Sequence, residues 1–190
     1  MKITQVTIYH VHKRPTTGQR PILVRVDTDE GIYGVGEVGL AYGVGGAAGA
    51  AMVKELAARI IGKDPFQIER IWEDFFKHTF WGQGGGTVVF SGISAIDIAL
   101  WDIKGKALGV PVYELLGGKT RDKVRVYASV MHITEDKNEL AAQYQQLQQM
   151  GFTAAKIFCN GPTSSPDGKG EFFSSRIERE GACLPGSGRP

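Results

Sequence analysis

The amino-acid sequence predicts an α+β protein, in which an antiparallel three-stranded meander with helices precedes a separate parallel strand–helix–strand unit. Three observations predict this fold class. Three segments of strand character open the chain, three helical patterns follow up to about residue 108, and a strand, a helix and a strand with short links come after residue 123. A hairpin joins antiparallel strands, whereas a strand–helix–strand crossover joins parallel ones.

The three opening strands are predicted at residues 2–12, 22–28 and 32–38. Alternation along the first strand predicts one face formed by Ile3, Gln5, Thr7 and Tyr9. A polar link that ends in Gly31 joins the second and third strands as a hairpin. The link from Lys13 to Pro21 carries two prolines and a glycine, so it cannot continue either strand and is predicted to be a loop.

Three helices are predicted after the strands. A glycine-rich segment at 39–46 leads into the first, at about 47–61. The second is predicted from Pro65 to about Thr79, because Asp64 suits the N-cap and proline suits the first helical position. Its buried face is predicted to comprise Ile68, Ile71, Trp72, Phe75 and Phe76. The third, from about Ser91 to Leu108, is long enough to be a core element.

From Lys123 the pattern changes. Residues 124–130 are predicted to form a buried strand, 136–150 an amphipathic helix and 152–158 a second strand. Parallel strands are nearly always covered on both faces and have several neighbours, so we expect either that this chain is a fragment or that partner chains complete its sheet. Gly, Pro and Ser are frequent in residues 159–190, which are predicted to be irregular or disordered.

The composition excludes several classes of function. The 190 residues carry a net charge of +2, which gives no electrostatic case for binding nucleic acid or an anionic membrane. The sequence has neither an apolar run of about eighteen residues nor a signal-peptide pattern at its start. We therefore expect a cytoplasmic protein without a nucleic-acid or membrane partner. Two cysteines are too few for a disulfide framework.

The stretch from Gly92 to Gly118 carries a resemblance to a known family. It reads GISAIDIALWDIKGKALGVPVYELLGG, and it closely resembles the signature of the mandelate racemase and muconate lactonizing enzyme group of the enolase superfamily. Residues 1–4, 29–37 and 62–65 are similar to the same family's capping domain. The resemblance covers roughly residues 1–158.

The resemblance implies a fold and an activity. In that family an α+β capping domain closes over a modified TIM barrel. Residues 1–122 then correspond to the capping domain and 123–158 to the first strand–helix–strand of a truncated, incomplete (β/α) barrel, before the irregular tail at 159–190. The family's barrel binds one magnesium ion, which stabilises the enediolate formed when a base removes the proton next to a carboxylate. Phe80 and Trp81, with the glycines after them, are most similar to acid-sugar dehydratases of the galactonate kind, lyases that eliminate water from a sugar acid.

The family's magnesium ligands and histidine base would lie beyond the second barrel strand, in strands that this chain does not have. The resemblance therefore implies that Mg²⁺ belongs to the parent family, that no cofactor binds this chain tightly, and that the chain is inactive alone. A second hypothesis is a non-catalytic interaction or scaffold protein that keeps the capping fold and binds a partner through its incomplete sheet. The expected partners are a sugar-acid substrate in the parent family, another copy of the chain or a full-length paralogue.

Two residues are candidate site residues. Lys156 matches the first of two lysines that racemase-type members place at the end of the second barrel strand, and Phe158 takes the place of the second, which favours a dehydratase. A lysine at this end of a strand lies where barrel chemistry occurs, so Lys156 is a candidate catalytic residue, with an ordinary solvated lysine as the alternative. Tyr42, in the segment 39–46, matches the place where family capping domains reach over the substrate, as does the loop 13–21. The alternative for Tyr42 is a packing role.

The other ionisable side chains that could be site residues are interpreted as structural. Glu37 is predicted to be structural, because it matches a capping-domain strand. Asp97 and Asp102, five residues apart, do not share one helix face well, so ion pairing or solvation is predicted for both. His10 and His12 share a strand face, but two ligands alone make a weak metal site. The sequence thus predicts no metal site.

Overall fold

The computed structural model describes residues 1–11, 20–41, 43–129 and 136–156. The chain divides into two compact units, one over Met1–Thr120 and one that begins at Arg121. The irregular tail predicted at 159–190 lies outside the described residues.

Three strands form the sheet of the first unit. They are β1 (Ile3–His10), β2 (Ile22–Thr28) and β3 (Tyr33–Val38), paired antiparallel in the order β1-β2-β3. The predicted meander and its hairpin are therefore confirmed. In β2 every second residue is buried, which is the period expected of a strand that has one face on a core.

One predicted strand face is wrong. The sequence groups Ile3 with Gln5, Thr7 and Tyr9, but the pairing of β1 with β2 shifts between Ile3 and Gln5. A bulge of this kind adds one residue to a strand and reverses the alternation beyond it. Ile3 therefore lies in the core with the partly buried Val6 and Ile8 packed against it.

Two long helices cover the sheet. They are α1 (Gly46–Ile60) and α3 (Gly86–Leu108). A β-carbon on Gly36 of β3 would lie 1.9 Å from the carbonyl oxygen of Ala95 in α3. A β-carbon on Gly34 would lie equally close to that of Ala99. Glycine on the strand and alanine on the helix thus allow the backbones to approach closely.

Helix α3 begins five residues before the predicted Ser91. It is long and apolar enough to cross a membrane, but half of the relevant stretch is buried inside the protein. Its buried residues include Ile93, Ile96, Leu100 and Ile103, which belong to the core shared with β2, β3 and α1. These contacts make α3 the core helix that the sequence predicts.

Helix α2 (Ile68–Lys77) is shorter than predicted. Asp64 does not cap it: Asp64 Oδ1 accepts a hydrogen bond from Phe66 N–H (2.9 Å), which forms a turn before the helix. Ile68, Ile71 and Phe75 are buried as predicted, whereas Trp72 is exposed, which contradicts the prediction. A short fourth helix, α4 (Val112–Leu115), follows α3.

Strand β3 lies at the edge of the described sheet, and two side chains of α3 bind its outer edge. Asp102 Oδ2 accepts a hydrogen bond from Val35 N–H (2.9 Å), and Lys106 Nζ donates one to the Tyr33 carbonyl (2.8 Å). The two side chains also form an ion pair, with 2.7 Å between Lys106 Nζ and Asp102 Oδ2. The ion pairing predicted for Asp102 is confirmed, and the pair covers groups that an open edge would expose.

In the part that the structure describes, the second unit has less regular structure than predicted. Its helix α5 (Lys137–Gln149) is confirmed, with Asp136 Oδ1 accepting a hydrogen bond from Asn138 N–H (2.8 Å). In place of two strands, the described residues form one parallel bridge between Ala128 and Ala155. The predicted buried strand at 124–130 is wrong for its described part, because Val124 and its neighbours are exposed.

Candidate functional site

A cleft of about 390 Å³ opens beside the sheet, where β1 ends and β2 begins. Three segments line it: the end of β1, the start of β2, and the link between β3 and α1. The lining residues are His10, Val11, Arg20, Ile22, Leu40, Ala41 and residues 43–47. Ile22 is buried in the core, whereas His10 and Arg20 are exposed.

The pairing of β1 with β2 places His10 in the cleft. His10 is the last residue of β1 and lies opposite Ile22, the first residue of β2. Beyond this pair, Val11 N–H donates a hydrogen bond to the Pro21 carbonyl (3.0 Å). The two chain segments therefore stay side by side as they leave the sheet.

A backbone hydrogen bond joins two predicted loops at the cleft. Arg20 N–H donates to the Ala41 carbonyl, with 2.8 Å between the atoms. Arg20 belongs to the predicted loop 13–21 and Ala41 to the glycine-rich segment 39–46. The structure thus brings together the described parts of the two segments that the resemblance places over a substrate.

The start of α1 forms another side of the cleft. Gly45 precedes the helix with a φ of 110°, a conformation that favours glycine, and no described side chain caps this end. A β-carbon on Gly46 would lie 3.1 Å from Ile22 Cδ1. The first amide groups of a helix have no partners within it, so this end contributes a partial positive charge.

The described residues that line the cleft include two cationic or ionisable side chains, Arg20 and His10, and none that is acidic. The first turn of α1, which is described throughout, has no acidic residue either. Arginine donates paired hydrogen bonds to a carboxylate, and a helix start also favours an anion. The cleft is therefore suited chemically to a small organic acid.

The two predicted site residues differ in whether the structure describes them. Tyr42 lies outside the described residues, but its neighbours Ala41 and Gly43 line the cleft. Lys156 belongs to the second unit, where its side chain is exposed and its N–H donates to the Ala128 carbonyl (2.7 Å). Neither role is tested by this geometry, so both stay predictions.

The described residues do not fit the magnesium ion of the parent family. Within the ranges that the structure describes, no three His, Cys, Asp or Glu side chains lie close enough together to hold a metal ion. Asp102 is bound to Lys106. Asp97 is half-buried, which raises the pKa of its carboxyl group, and Glu69 raises that pKa further.

Arg20 lines the cleft but was not among the site residues predicted from the sequence, and His10 was interpreted only as a weak metal ligand. The predicted antiparallel pairing of the first two strands could have placed His10 at the base of the loop 13–21. Arg20 had no local signal, because its position depends on a hydrogen bond to a residue twenty-one positions later.

Comparisons with known proteins agree with the sequence motif. The family model described as mandelate racemase / muconate lactonizing enzyme, N-terminal domain, matches residues 4–117. A D-galactonate dehydratase of Xanthomonas campestris is 42% identical over 160 residues, which cover 83% of this chain and 38% of that protein. The chain therefore spans about two fifths of the length of that curated relative.

Solved structures extend the similarity to the fold. A Zymomonas mobilis protein assigned as a dehydratase is 48% identical, with a TM-score of 0.79 over 93% of this chain and 50% of that one. An enolase from Pantoea ananatis, solved with bound D-gluconate and magnesium, is 35% identical, with a TM-score of 0.70 over 81% of this chain and 35% of that one. The chain thus belongs to the mandelate racemase and muconate lactonizing enzyme family of the enolase superfamily, and the meander with its helices is that family's N-terminal domain.

Proposed function

We propose that this chain is the substrate-capping part of a magnesium-dependent acid-sugar dehydratase, and that its cleft contacts the sugar acid. The observation that carries the proposal is the charge of the cleft. Arg20, His10 and the start of α1 meet there, and the described lining has no acidic side chain. The names of the relatives support the substrate class, since one is a D-galactonate dehydratase and one was solved with D-gluconate.

The chemistry of a sugar-acid dehydratase explains what a cap has to do. The substrate is an anion with a chain of hydroxyl groups, and it loses the proton next to its carboxylate and then a hydroxyl group as water. The Arg20 guanidinium can donate to carboxylate or hydroxyl oxygens, and the His10 ring can donate or accept. A cap that binds these groups orients the substrate and keeps water away from it.

We propose that this chain alone does not catalyse the dehydration. The described residues have no group of three metal-binding side chains, and Lys156 alone cannot supply both a base and a charge to stabilise the enediolate. We expect no dehydration of D-galactonate by the purified chain with Mg²⁺, measured as 2-keto acid formed. Magnesium-dependent turnover above that of a boiled sample would refute this part of the proposal.

Binding at the cleft can be tested by NMR. Backbone amide spectra of the chain are recorded with D-galactonate and, separately, with the neutral polyol galactitol. We expect D-galactonate to shift the amides of Arg20, Gly45 and Gly46 and galactitol to shift them less. Arg20→Ala should abolish the shifts, whereas Arg70→Ala, which removes an exposed arginine outside the cleft, should keep them. Equal shifts with both compounds, or normal binding by Arg20→Ala, would contradict the proposal.

A non-catalytic interaction protein is the second candidate function. It is favoured by the second unit, where Val124, Val126 and Tyr127 are exposed and none of the thirteen described residues of α5 is buried. Apolar surface of this kind suits a partner chain. A complex with a full-length D-galactonate dehydratase in sedimentation velocity would support it, provided that Val126→Asp prevents the complex. Separate sedimentation of the two proteins would favour the capping function.

A further inference from the structure

A second cavity, of about 410 Å³, lies along α2 in the first unit. Its volume falls within the range of small-molecule sites, about 300–1,000 Å³. Every lining side chain is polar or charged, and none of these residues lines the cleft. The lining residues are Lys63, Gln67, Arg70, Glu73, Asp74 and His78. The cavity is therefore suited to a charged ligand and not to an apolar one.

One face of α2 forms most of the cavity wall. Gln67 lies at the start of the helix, and Arg70, Asp74 and His78 follow it at intervals of three and four residues. Residues at these intervals are neighbours on a helix surface. Lys63, from the segment before the helix, donates a hydrogen bond from Nζ to Asp74 Oδ2 (3.1 Å). The helix and the segment before it are thus joined across the cavity.

Asp74 is the anchor of the cationic groups around the cavity. Arg59 of α1 donates to both of its carboxylate oxygens, with 3.2 Å from Nε to Oδ2 and 2.9 Å from Nη2 to Oδ1. His78 Nδ1 lies 3.4 Å from Oδ1. Arg59 and then Lys63 lower the pKa of Asp74 to about 2. A carboxylate favoured in this way lies in a positive potential, which would favour an added anion as well.

Cationic side chains outnumber carboxylates at this cavity. The two carboxylates are those of Asp74, which Arg59 and Lys63 bind, and Glu73, which Lys77 binds with 2.5 Å between Nζ and Oε1. Arg70 adds a fourth cation to the lining. The group therefore has two positive charges in excess when His78 is neutral.

Arg70 has donors to spare. Among the described residues its side chain makes one hydrogen bond, from Nη1 to Gln67 Oε1, at a long 3.4 Å. A guanidinium group has five N–H donors in a planar fork that matches the oxygens of a carboxylate or a phosphate. Arg70 is thus the lining cation best placed to bind an anion from outside the protein.

A phosphate group fits these charges better than a single carboxylate does. Its two negative charges equal the excess positive charge, and its oxygens can accept from the Arg70 fork and from the Lys63 ammonium group. The cavity is also larger than a phosphate ion requires, which leaves room for a small organic group beside the Gln67 amide.

We propose that the cavity along α2 binds the phosphate group of a small phosphate monoester, with Arg70 as its main ligand. The proposal goes beyond the capping function and is independent of it, because neither Arg20 nor His10 lines this cavity.

An NMR titration of the 190-residue chain tests the proposal. The probes are glycerol 3-phosphate and neutral glycerol, at pH 7.5, where a phosphate monoester is mostly dianionic. The ionic strength is held constant, since salt screens exposed charges. We expect glycerol 3-phosphate to shift the amides of Gln67, Arg70 and His78 with saturation and a Kd of about 1 mM. Glycerol should leave them unshifted.

Charge variants of opposite sign distinguish a binding role from a structural one. Arg70→Gln should weaken binding about tenfold, because a charge-assisted hydrogen bond is lost. Arg70→Lys, which keeps the charge but not the fork, should have an intermediate affinity. Glu73→Gln should tighten binding about threefold, because it removes a negative charge beside the ligand. Lys54→Gln, an exposed lysine of α1 outside the cavity, should bind as wild type does.

Several results would overturn the proposal. They are shifts that rise without saturation up to about 20 mM, wild-type affinity in Arg70→Gln, and weaker binding by Glu73→Gln. A parallel titration with inorganic phosphate separates the two sources of a phosphate group. Binding of inorganic phosphate without binding of glycerol 3-phosphate would refute the monoester. The dispersion of each amide spectrum shows whether the variant is folded.

Discussion

The two units of this chain contain similar local patterns but differ in what covers them. In the first unit the sheet lies against α1 and α3, and its core holds nineteen of the twenty buried apolar residues found in the described part of the chain. Among the described residues of the second unit, Ala128 alone is buried. Both regions have strand-like and helix-like sequences, so the difference does not arise from local propensity.

The difference shows what a strand requires besides its own sequence. Each strand of the first unit has a neighbour in sequence that pairs with it through a short link or a loop. The strand-like segments of the second unit pair at one bridge, between Ala128 and Ala155, with α5 between them in sequence. Parallel strands need several neighbours and covered faces, and the described residues supply neither.

The largest effect is expected from Gly36→Val, which tests the close approach of strand and helix in the first unit. The new side chain would collide with the Ala95 carbonyl, which belongs to the backbone and cannot move aside. We expect a loss on the order of 5 kcal/mol, comparable with the whole stability of a small domain. Amide hydrogen exchange across residues 1–120 measures it. Gly39→Ala, where the added carbon meets nothing within 4 Å, should exchange like wild type.

A matched pair of aromatic truncations compares the two units directly. Phe75 in α2 is 1% exposed, whereas Tyr144 in α5 is exposed. Phe75→Ala should cost about 3–4 kcal/mol, because it leaves a cavity. Tyr144→Ala should cost less than about 0.5 kcal/mol, as exposed substitutions do. Urea unfolding followed by circular dichroism gives both values. A large effect of Tyr144→Ala would mean that α5 has a packed environment, and it would remove the contrast between the units.

The sequence could predict those parts of the fold that depend on neighbours along the chain. The meander follows from alternating residues and a short hairpin, and the start of α5 follows from Asp136 as a local cap. The prediction failed at α2, where Asp64 binds Phe66 instead of capping the helix, and at Ile3, where a bulge interrupts the alternation. At both positions the local sequence pattern is compatible with more than one backbone conformation.

The candidate site was harder to predict than the fold. The resemblance indicated the two loops, but the contact between Arg20 and Ala41 is long-range and has no sequence signature. The buried strand at 124–130 failed for a related reason, since burial is a property of what surrounds a segment. Residue patterns report a preference for burial and do not report whether a covering element is present.

In the first unit, an ion cluster around Asp74 links α1, α2 and the segment between them. Arg59 donates hydrogen bonds to the carboxylate, Lys63 donates another, and together they lower the pKa of Asp74 to about 2. A lowered folded-state pKa stabilises the fold above the unfolded pKa, near 4, and the stabilisation is lost as the pH falls toward 2.

We therefore expect Asp74→Asn to lower the free energy of unfolding by about 1–2 kcal/mol at pH 7. The loss is limited because Arg59 and Lys63 are partly exposed and solvent screens their charges. The difference from wild type should shrink between pH 4 and pH 2. Urea unfolding at pH 7, 4 and 2.5 measures it, with Glu55→Gln, on the exposed face of α1, as the control. A difference that stays constant down to pH 2.5 would show that the charge of Asp74 is not the cause.

The smallest effect on stability is expected at the outer edge of β3, where the side chains of Asp102 and Lys106 bind backbone groups of the strand. Asp102→Asn should remove the ion pair with Lys106 and cost about 0.5–1 kcal/mol, because the amide can still accept from Val35 N–H. Lys106→Met should leave the Tyr33 carbonyl without its side-chain donor, so the open edge can pair with another chain. Light scattering during incubation at 37 °C should rise for Lys106→Met and stay low for Lys54→Met, an exposed lysine of α1. Equal scattering by the two variants would mean that the edge is protected by something other than this pair.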